Sequence, residues 1–339
     1  MKIAFFEIED WEIDYIKTQI GIDAELFFTK EKLDKDSIKQ FPSDFDIISV
    51  FVESNINKDV INYFSNLKLI TTRSTGFDHI DLVLVKKKGV AVGYVPGYGD
   101  NTVAEFAFGL ILALSRKICE AYDRIRKGNF SLDSLQGFDL KSKTIGIIGT
   151  GRIGRYMIQI AKGFDMNVIA YDPFPNKQLA NEIGFKYLGL EDLLSQSDIV
   201  SLHVPYLPLT HHLINKDNIF KIKKGALLIN TSRGAVIETD ALASALDSGH
   251  LAGVGLDVLE EEGAIQDEKT LLLKGRTEEH NLKTVLTNHL IIEMPNAIVT
   301  PHNAFNTKEA LQRILDTDIN NIKSFADKKI PVFLVPDNS

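Results

Sequence analysis

The chain has 339 residues, 44% of them hydrophobic and 25% charged, and carries a formal net charge of −8. This is the composition of an ordinary globular protein long enough for two hydrophobic cores, and its acidic balance argues against a nucleic-acid partner, which requires clustered Lys and Arg. A single cysteine, Cys119, excludes an internal disulfide and a multi-cysteine metal site, so no metal is expected.

The N-terminus MKIAFFEIED turns acidic before a secretory apolar core can form. The longest apolar stretch, Val103 to Leu114, contains a glutamate and is too short to span a bilayer. A soluble, cytoplasmic protein without a membrane partner is expected.

Short β-rich runs then alternate with helical patterns from end to end. The predicted strands are 2–6, 24–28, 46–52, 67–72 and 89–95, followed by 144–148, 167–171, 198–204, 225–231, 253–258 and 297–300. Apolar, β-branched runs without strict alternation suit strands covered on both faces, and helices between them suit parallel pairing. The fold class expected is α/β, with two doubly wound parallel sheets.

The series breaks once, where Val103, Phe106, Leu110, Leu114 and Ile118 recur every three to four positions and predict one long amphipathic helix over about 102–128. This places a boundary near Asn101. A second falls near Asn303, because the tail from Lys308 to Phe325 has helical periodicity and must dock. The expected domains are 1–101 with 304–339, and 102–303, with a ligand cleft between them. The charged stretch 263–290 is read as an inserted surface loop with some helix.

In TIGIIGTGRIGRYMIQIAKGFDMNVIAYDP, Gly149, Gly151 and Gly154 follow a strand and open a helix in G-x-G-x-x-G spacing. The first glycine permits the tight turn, the second lets the backbone approach a pyrophosphate, and the third lets helix and strand pack. Asp172 stands at the end of the next strand, where an acid accepts from the adenosine ribose hydroxyls and repels a 2′-phosphate. It favours NAD over NADP; its ordinary alternative is a turn cap before Pro173.

LLINTSRGAVIE ends a strand at Thr231 and continues with Ser232, Arg233 and Gly234, so Arg233 is expected in the ligand crevice as a bidentate carboxylate clamp. A surface ion pair is its competing role. GVGLDVLEEEG ends a strand with Asp257 and continues with Glu260, Glu261 and Glu262, and local spacing does not choose among the three. AIVTPHNAF places His302 just past the last strand. A histidine beside an apolar run is most often a surface or satisfied core residue, and only the rest of the chain raises its standing.

The combination resembles the D-isomer-specific 2-hydroxyacid dehydrogenases over nearly the whole chain. TRSTGFDHID (72–81), VPGYGDNTVAE (95–105), GIIGTGRIG (146–154), SLHVPYLPLTHHLIN (201–215), INTSRGAVIE (229–238), GLDVLEEE (255–262) and VTPHNAF (299–305) look like that family's motifs in its order. The resemblance implies a Rossmann NAD-binding domain plus a flavodoxin-like substrate domain. It implies Arg233, Glu262 and His302 as the catalytic set, with Glu260 a minor alternative to Glu262. His302 would be the proton donor in reduction and the base in oxidation, Glu262 would hold its imidazole and favour the charged form, and Arg233 would clamp the substrate carboxylate. Backbone groups near Thr75 and Gly76 would take the other end of the substrate, and Tyr98 would reach it as in the D-lactate dehydrogenase subgroup.

For the NAD cofactor the implied contacts are Gly149, Gly151, Arg152, Ile153, Gly154 and Asp172, with Val204, Pro205 and Thr210 on the adenine and ribose side. Thr231, Ser232 and Asp257 complete the set, Asp257 touching the nicotinamide side or orienting Arg233. We expect a homodimer interconverting a small 2-keto acid and a D-2-hydroxy acid, pyruvate and D-lactate first. The alternatives are a glyoxylate or hydroxypyruvate reductase and a non-catalytic NAD-sensing protein of the corepressor type.

Overall fold

The computed structural model describes residues 1–262 and 282–336. These fall into two units, Met1–Tyr98 joined by the chain from Thr307 onward, and Gly99–Asn306. The units change over at 98–99 and 306–307, a few residues from Asn101 and Asn303. Among the described residues no helix is long and apolar enough to cross a membrane.

The first unit is built from β1 (Lys2–Phe5), α1 (Asp10–Gln19), β2 (Glu25–Phe28), β3 (Ile47–Val50), α2 (Lys58–Tyr63), β4 (Leu69–Thr72), α3 (Leu82–Lys87), β5 (Ala91–Gly93) and the C-terminal helix α11 (Lys308–Lys328). Its parallel sheet has the order β2-β1-β3-β4-β5, the flavodoxin-like arrangement. Alternate residues serve opposite faces: Ala4, Ile48 and Ile70 join one core layer, while Ile3, Ile47 and Leu69 pack against Leu315, Ile319 and Ile322 of α11 on the other. Each such aliphatic side chain contributes about 1.5–3 kcal/mol on burial, which is why the tail returns to this sheet.

A buried charge cluster ties the strand ends of this unit together. Arg73, just past β4, donates from Nη2 to the Phe6 and Glu7 carbonyls (2.7 and 2.8 Å) and from Nη1 to Ser49 Oγ (3.0 Å). Ser49 in turn donates to Asp318 of α11 at 2.8 Å. Burial pushes the carboxyls of Asp318 and of Glu12 in α1 up from their ordinary values, with the Arg73 charge opposing the shift in both.

The second unit runs α4 (Asp100–Ser115), α5 (Ile118–Arg126), β6 (Thr144–Ile148), α6 (Arg152–Gly163), β7 (Asn167–Tyr171), α7 (Lys177–Ile183), β8 (Lys186–Tyr187), α8 (Leu190–Gln196), β9 (Ile199–Leu202), β10 (Leu227–Asn230), α9 (Thr239–Asp247), β11 (Gly253–Leu256), α10 (Leu282–Glu293) and β12 (Ala297–Val299). Its sheet order is β12-β11-β10-β9-β6-β7-β8, and the direction of winding reverses between β6 and β9. In doubly wound sheets ligands bind beyond the carboxyl ends of the strands flanking that reversal.

Two features differ from expectation. The long helix predicted over 102–128 is two helices, α4 and α5, parted at Lys117, whose φ is +56°. Its cause lies downstream: the Ser115 carbonyl accepts the Phe138 N–H at 2.9 Å, and Gly137 crosses so closely that a Cβ there would stand 2.1 Å from that oxygen. Strand β8, two residues long and paired to β7, was not anticipated. Of the expected insertion 263–290, residues 263–281 lie outside the described residues, and the remainder belongs to α10.

Candidate active site

β6 ends at Ile148 and runs into the glycine loop. Gly149 has φ +93°, and a Cβ on it would stand 2.6 Å from the His203 carbonyl oxygen at the end of β9. Gly154 is required by packing, since its Cβ would lie 2.0 Å from the Gly149 oxygen. Gly151, the N-cap of α6, is exposed, and a Cβ built there meets nothing within 4 Å. The loop therefore offers open space in front of the first N–H groups of a helix, a fit for a pyrophosphate. Arg152 is exposed on that first turn, and Ile153 packs against the core beneath it.

Asp172 lies one residue past β7. Its Oδ2 accepts from Thr150 N (2.8 Å) and Thr150 Oγ1 (2.9 Å), and its Oδ1 accepts from Phe174 N (2.9 Å). The carboxylate is thus anchored to the glycine loop itself. Beyond β9, Val204 is buried and Pro205 exposed. Thr210 is spent on its own loop, accepting from Leu207 N at 2.7 Å and donating to the Pro205 carbonyl at 2.6 Å. His203, between β9 and Val204, is a neutral residue: burial of its ring pushes its pKa down to about 3, although part of the residue reaches solvent.

At the end of β10, Thr231 keeps a buried hydroxyl with no hydrogen-bond partner among the described residues, a polar atom left for a ligand. The turn that follows is organised by Asn230, whose side chain accepts from Ser232 N and Oγ (3.0 and 2.7 Å) and donates to the Arg233 carbonyl (2.9 Å). Arg233 is half-buried and donates to the Ser232 carbonyl at 2.8 Å. Gly234 brings this turn against the next loop: a Cβ there would stand 2.0 Å from the Leu259 carbonyl carbon and 2.1 Å from the Glu260 nitrogen.

That next loop carries the acids and separates them by partner. Glu260 accepts from Thr239 Oγ1 (2.7 Å) and pairs with His212 Nε2 (2.9 Å), so it is occupied away from His302. Glu262 Oε1 lies 2.9 Å from His302 Nδ1, and both side chains are about one-third exposed. Its other oxygen accepts from Leu259 N at 3.3 Å. Of the two acids weighed as the partner of His302, the geometry selects Glu262 over Glu260.

Asp257 corrects part of the expectation. Its buried carboxylate does not orient Arg233 but holds the His302 loop, accepting from Thr300 Oγ1 (2.5 Å), Asn303 N and Ala304 N (both 2.8 Å). Its backbone carbonyl takes the His302 N–H at 2.8 Å, stabilising a left-handed φ of +51° that a non-glycine residue adopts only under such constraint. Burial pushes the Asp257 carboxyl up from its ordinary value, against those hydrogen bonds.

In the first unit, Thr75 is exposed, and its hydroxyl donates to the Val95 carbonyl at 2.8 Å. The Gly76 carbonyl accepts from Ser74 Oγ at 2.5 Å. Tyr98 is half-buried, and its carbonyl accepts from Arg313 Nε of α11 at 2.7 Å.

Asn230, Thr150 and Tyr187 also belong to this region, beyond the residues the motifs single out; the Tyr187 hydroxyl lies 2.9 Å from that of Thr150. Only Asn230 had a local signal, an Asx residue ending a strand before a turn. The open glycine loop, the acid anchored to it and an imidazole–carboxylate pair beyond adjacent strands define a dinucleotide-dependent oxidoreductase of the doubly wound class.

The family described as D-isomer specific 2-hydroxyacid dehydrogenase, NAD binding domain, matches residues 108–304. A 2-hydroxyacid dehydrogenase homolog of Zymomonas mobilis is 36% identical, covering 99% of this chain and 100% of its own. Among solved structures, the pyruvate reductase of Chlamydomonas reinhardtii aligns with a TM-score of 0.85 at 37% identity over 96% of each chain. The D-lactate dehydrogenase of Aquifex aeolicus, solved with NAD and lactic acid, aligns with a TM-score of 0.82 at 36% identity over 97% of this chain and 98% of its own. The chain belongs to the D-isomer-specific 2-hydroxyacid dehydrogenases, within their D-lactate dehydrogenase-like members. It is an NAD-dependent dehydrogenase with the family's two parallel-sheet domains.

Proposed function

We propose that this enzyme interconverts pyruvate and D-lactate, with His302 as acid and base, Glu262 as its partner and Arg233 as the carboxylate clamp. The observation that carries the reading is the 2.9 Å contact of His302 Nδ1 with Glu262, on a loop that Gly234 brings against the Arg233 turn. With Nδ1 committed to the carboxylate, Nε2 is the atom free to exchange a proton with substrate, and the tautomer is fixed.

In reduction the protonated imidazole gives its Nε2 proton to the oxygen that was the keto carbonyl, and in oxidation the neutral ring takes that proton back. The nicotinamide, when bound, supplies or accepts the hydride. Arg233 presents a planar fork to the substrate carboxylate, a geometry lysine lacks. The reading also assigns substrate contacts to Thr75, Gly76 and Tyr98. Cofactor contacts fall to the glycine loop with Arg152 and Ile153, to Asp172, and to Val204, Pro205, Thr210, Thr231 and Ser232. Asp257 acts by placing the His302 loop.

Pyruvate is favoured by Tyr98 in VPGYGDN and by the pyruvate reductase and lactate dehydrogenase named among its structural neighbours. A homodimer fits the apolar residues Ile118, Tyr122 and Ile125, spaced along one face of α5, and Phe130 and Leu132 beyond it, all exposed; light scattering on the eluted protein checks it. Substrate is tested by assaying pyruvate, glyoxylate and hydroxypyruvate with NADH. Pyruvate should give the highest kcat/KM, and a higher value for either of the others would displace it.

A further inference from the structure

Asp172 is held by more than its own turn. Thr150 gives Oδ2 two hydrogen bonds, and Phe174 N anchors Oδ1. A carboxylate only accepts, so the single hydroxyl proton of Thr150 points at Asp172. Thr150 Oγ1 can then only accept at its other contact, and the Tyr187 hydroxyl at 2.9 Å must donate to it. The direction of the whole chain follows: Tyr187 to Thr150 to Asp172.

Strand β8 explains why the tyrosine is there. Its two residues pair in parallel with Ile169 and Ala170, which sets Tyr187 beside the strand that ends before Asp172. The ring is fixed by an edge-on contact with Phe185 at 5.1 Å and by the core under α6 and α7. A two-residue edge strand adds little to the sheet, but it delivers one hydroxyl to one place.

We infer that Tyr187 and Thr150 are positioning residues for cofactor choice. Their relay stops Asp172 from rotating away, so that the carboxylate stays where a 2′-phosphate would have to stand. This rests on the reading of Asp172 as the ribose-side acid. A carboxylate on a flexible tether could turn aside and admit the phosphate; one bonded at both oxygens cannot do so without breaking hydrogen bonds. The same rigidity presents its remaining lone pairs to ribose hydroxyls in one orientation, so discrimination arises from both sides of the comparison.

The test is equilibrium binding of NADH and NADPH, read by nicotinamide fluorescence in wild type, Tyr187→Phe, Thr150→Val, Thr150→Ser and Asp172→Ala, with the Asp172→Ala/Tyr187→Phe double variant. Tyr187→Phe should narrow the preference for NADH about fivefold, the worth of one hydrogen bond, and Thr150→Val should narrow it further. Thr150→Ser, which keeps the hydroxyl, should retain the preference. In the Asp172→Ala background Tyr187→Phe should change nothing more. A merely structural role would weaken both nucleotides alike and persist without Asp172; that result, or an unchanged preference in Tyr187→Phe, overturns the relay. An unchanged preference in Asp172→Ala itself would instead remove the ribose-side reading beneath it. If Tyr187→Phe fails to fold, the Thr150 pair decides, since a valine that behaves like the serine also overturns the inference.

Discussion

Gly234→Ala adds one methyl group and should disable the enzyme. The Cβ would stand 2.0 Å from the Leu259 carbon, 2.1 Å from the Glu260 nitrogen and 2.2 Å from the Leu259 oxygen. All three are backbone atoms, which cannot yield as the end of a flexible side chain can, and the loops must separate by about 1 Å or more to reach van der Waals distance. One of those loops carries Arg233; the other carries Glu262, bonded to His302. A displacement of about 1 Å between reacting groups can cost on the order of 100-fold in rate, while overpacking of this kind costs about 1–3 kcal/mol in stability. The variant should therefore fold, melt somewhat earlier, and lose on the order of 100-fold in kcat/KM for pyruvate with NADH. Steady-state kinetics beside a thermal melt separate the two effects. A folded Gly234→Ala enzyme within about twofold of wild type would show that the Arg233 turn and the acidic loop need not touch for catalysis.

Arg233→Lys keeps the charge but loses the fork, and should cost about 2–4 kcal/mol of transition-state stabilisation in kcat/KM; near-normal kinetics would place the clamp elsewhere. Glu262→Gln removes a negative charge 2.9 Å from His302 Nδ1 while keeping shape and a hydrogen bond. With the imidazole no longer held by a carboxylate, kcat/KM for pyruvate should fall on the order of 100-fold, and near-normal kinetics would unseat Glu262. Asp318→Asn tests the buried cluster of the first unit. A carboxyl whose value is raised in the fold contributes stability that is present below the ordinary carboxylate range and is lost as pH rises through the folded value. Wild type should lose melting temperature from mildly acidic to alkaline pH more steeply than the variant, and parallel curves would refute the assignment.

What the sequence revealed, and what it hid, divides by distance along the chain. The glycine spacing is legible because turn, phosphate approach and helix packing are demands made within six residues, and Gly149 and Gly154 meet clashes of just those kinds. The central strands β1, β3, β4, β6, β9, β10 and β11 are legible because burial on both faces leaves a local apolar signature. The break between α4 and α5 was not, because Gly137, some twenty residues downstream, imposes it at Ser115. β8 was not, because two residues carry no periodicity.

The candidate site follows the same rule. Arg233, Glu262 and His302 were named through motif resemblance, but the residues that place them act across long separations: Asp257 on Asn303 and Ala304 over 46 and 47 positions, Gly234 on the 259–260 backbone. Asp257, expected at the nicotinamide side or orienting Arg233, also has a task the motifs do not show. Its carboxylate accepts three hydrogen bonds from the His302 loop and its carbonyl accepts the His302 N–H, which together keep an unfavourable backbone angle in place. The strain at His302 is thus met by a buried acid whose own desolvation is partly offset by the loop it holds. Removing the Asp257 carboxylate should therefore release the imidazole from Glu262, because the 2.9 Å contact depends on where the loop sets the ring.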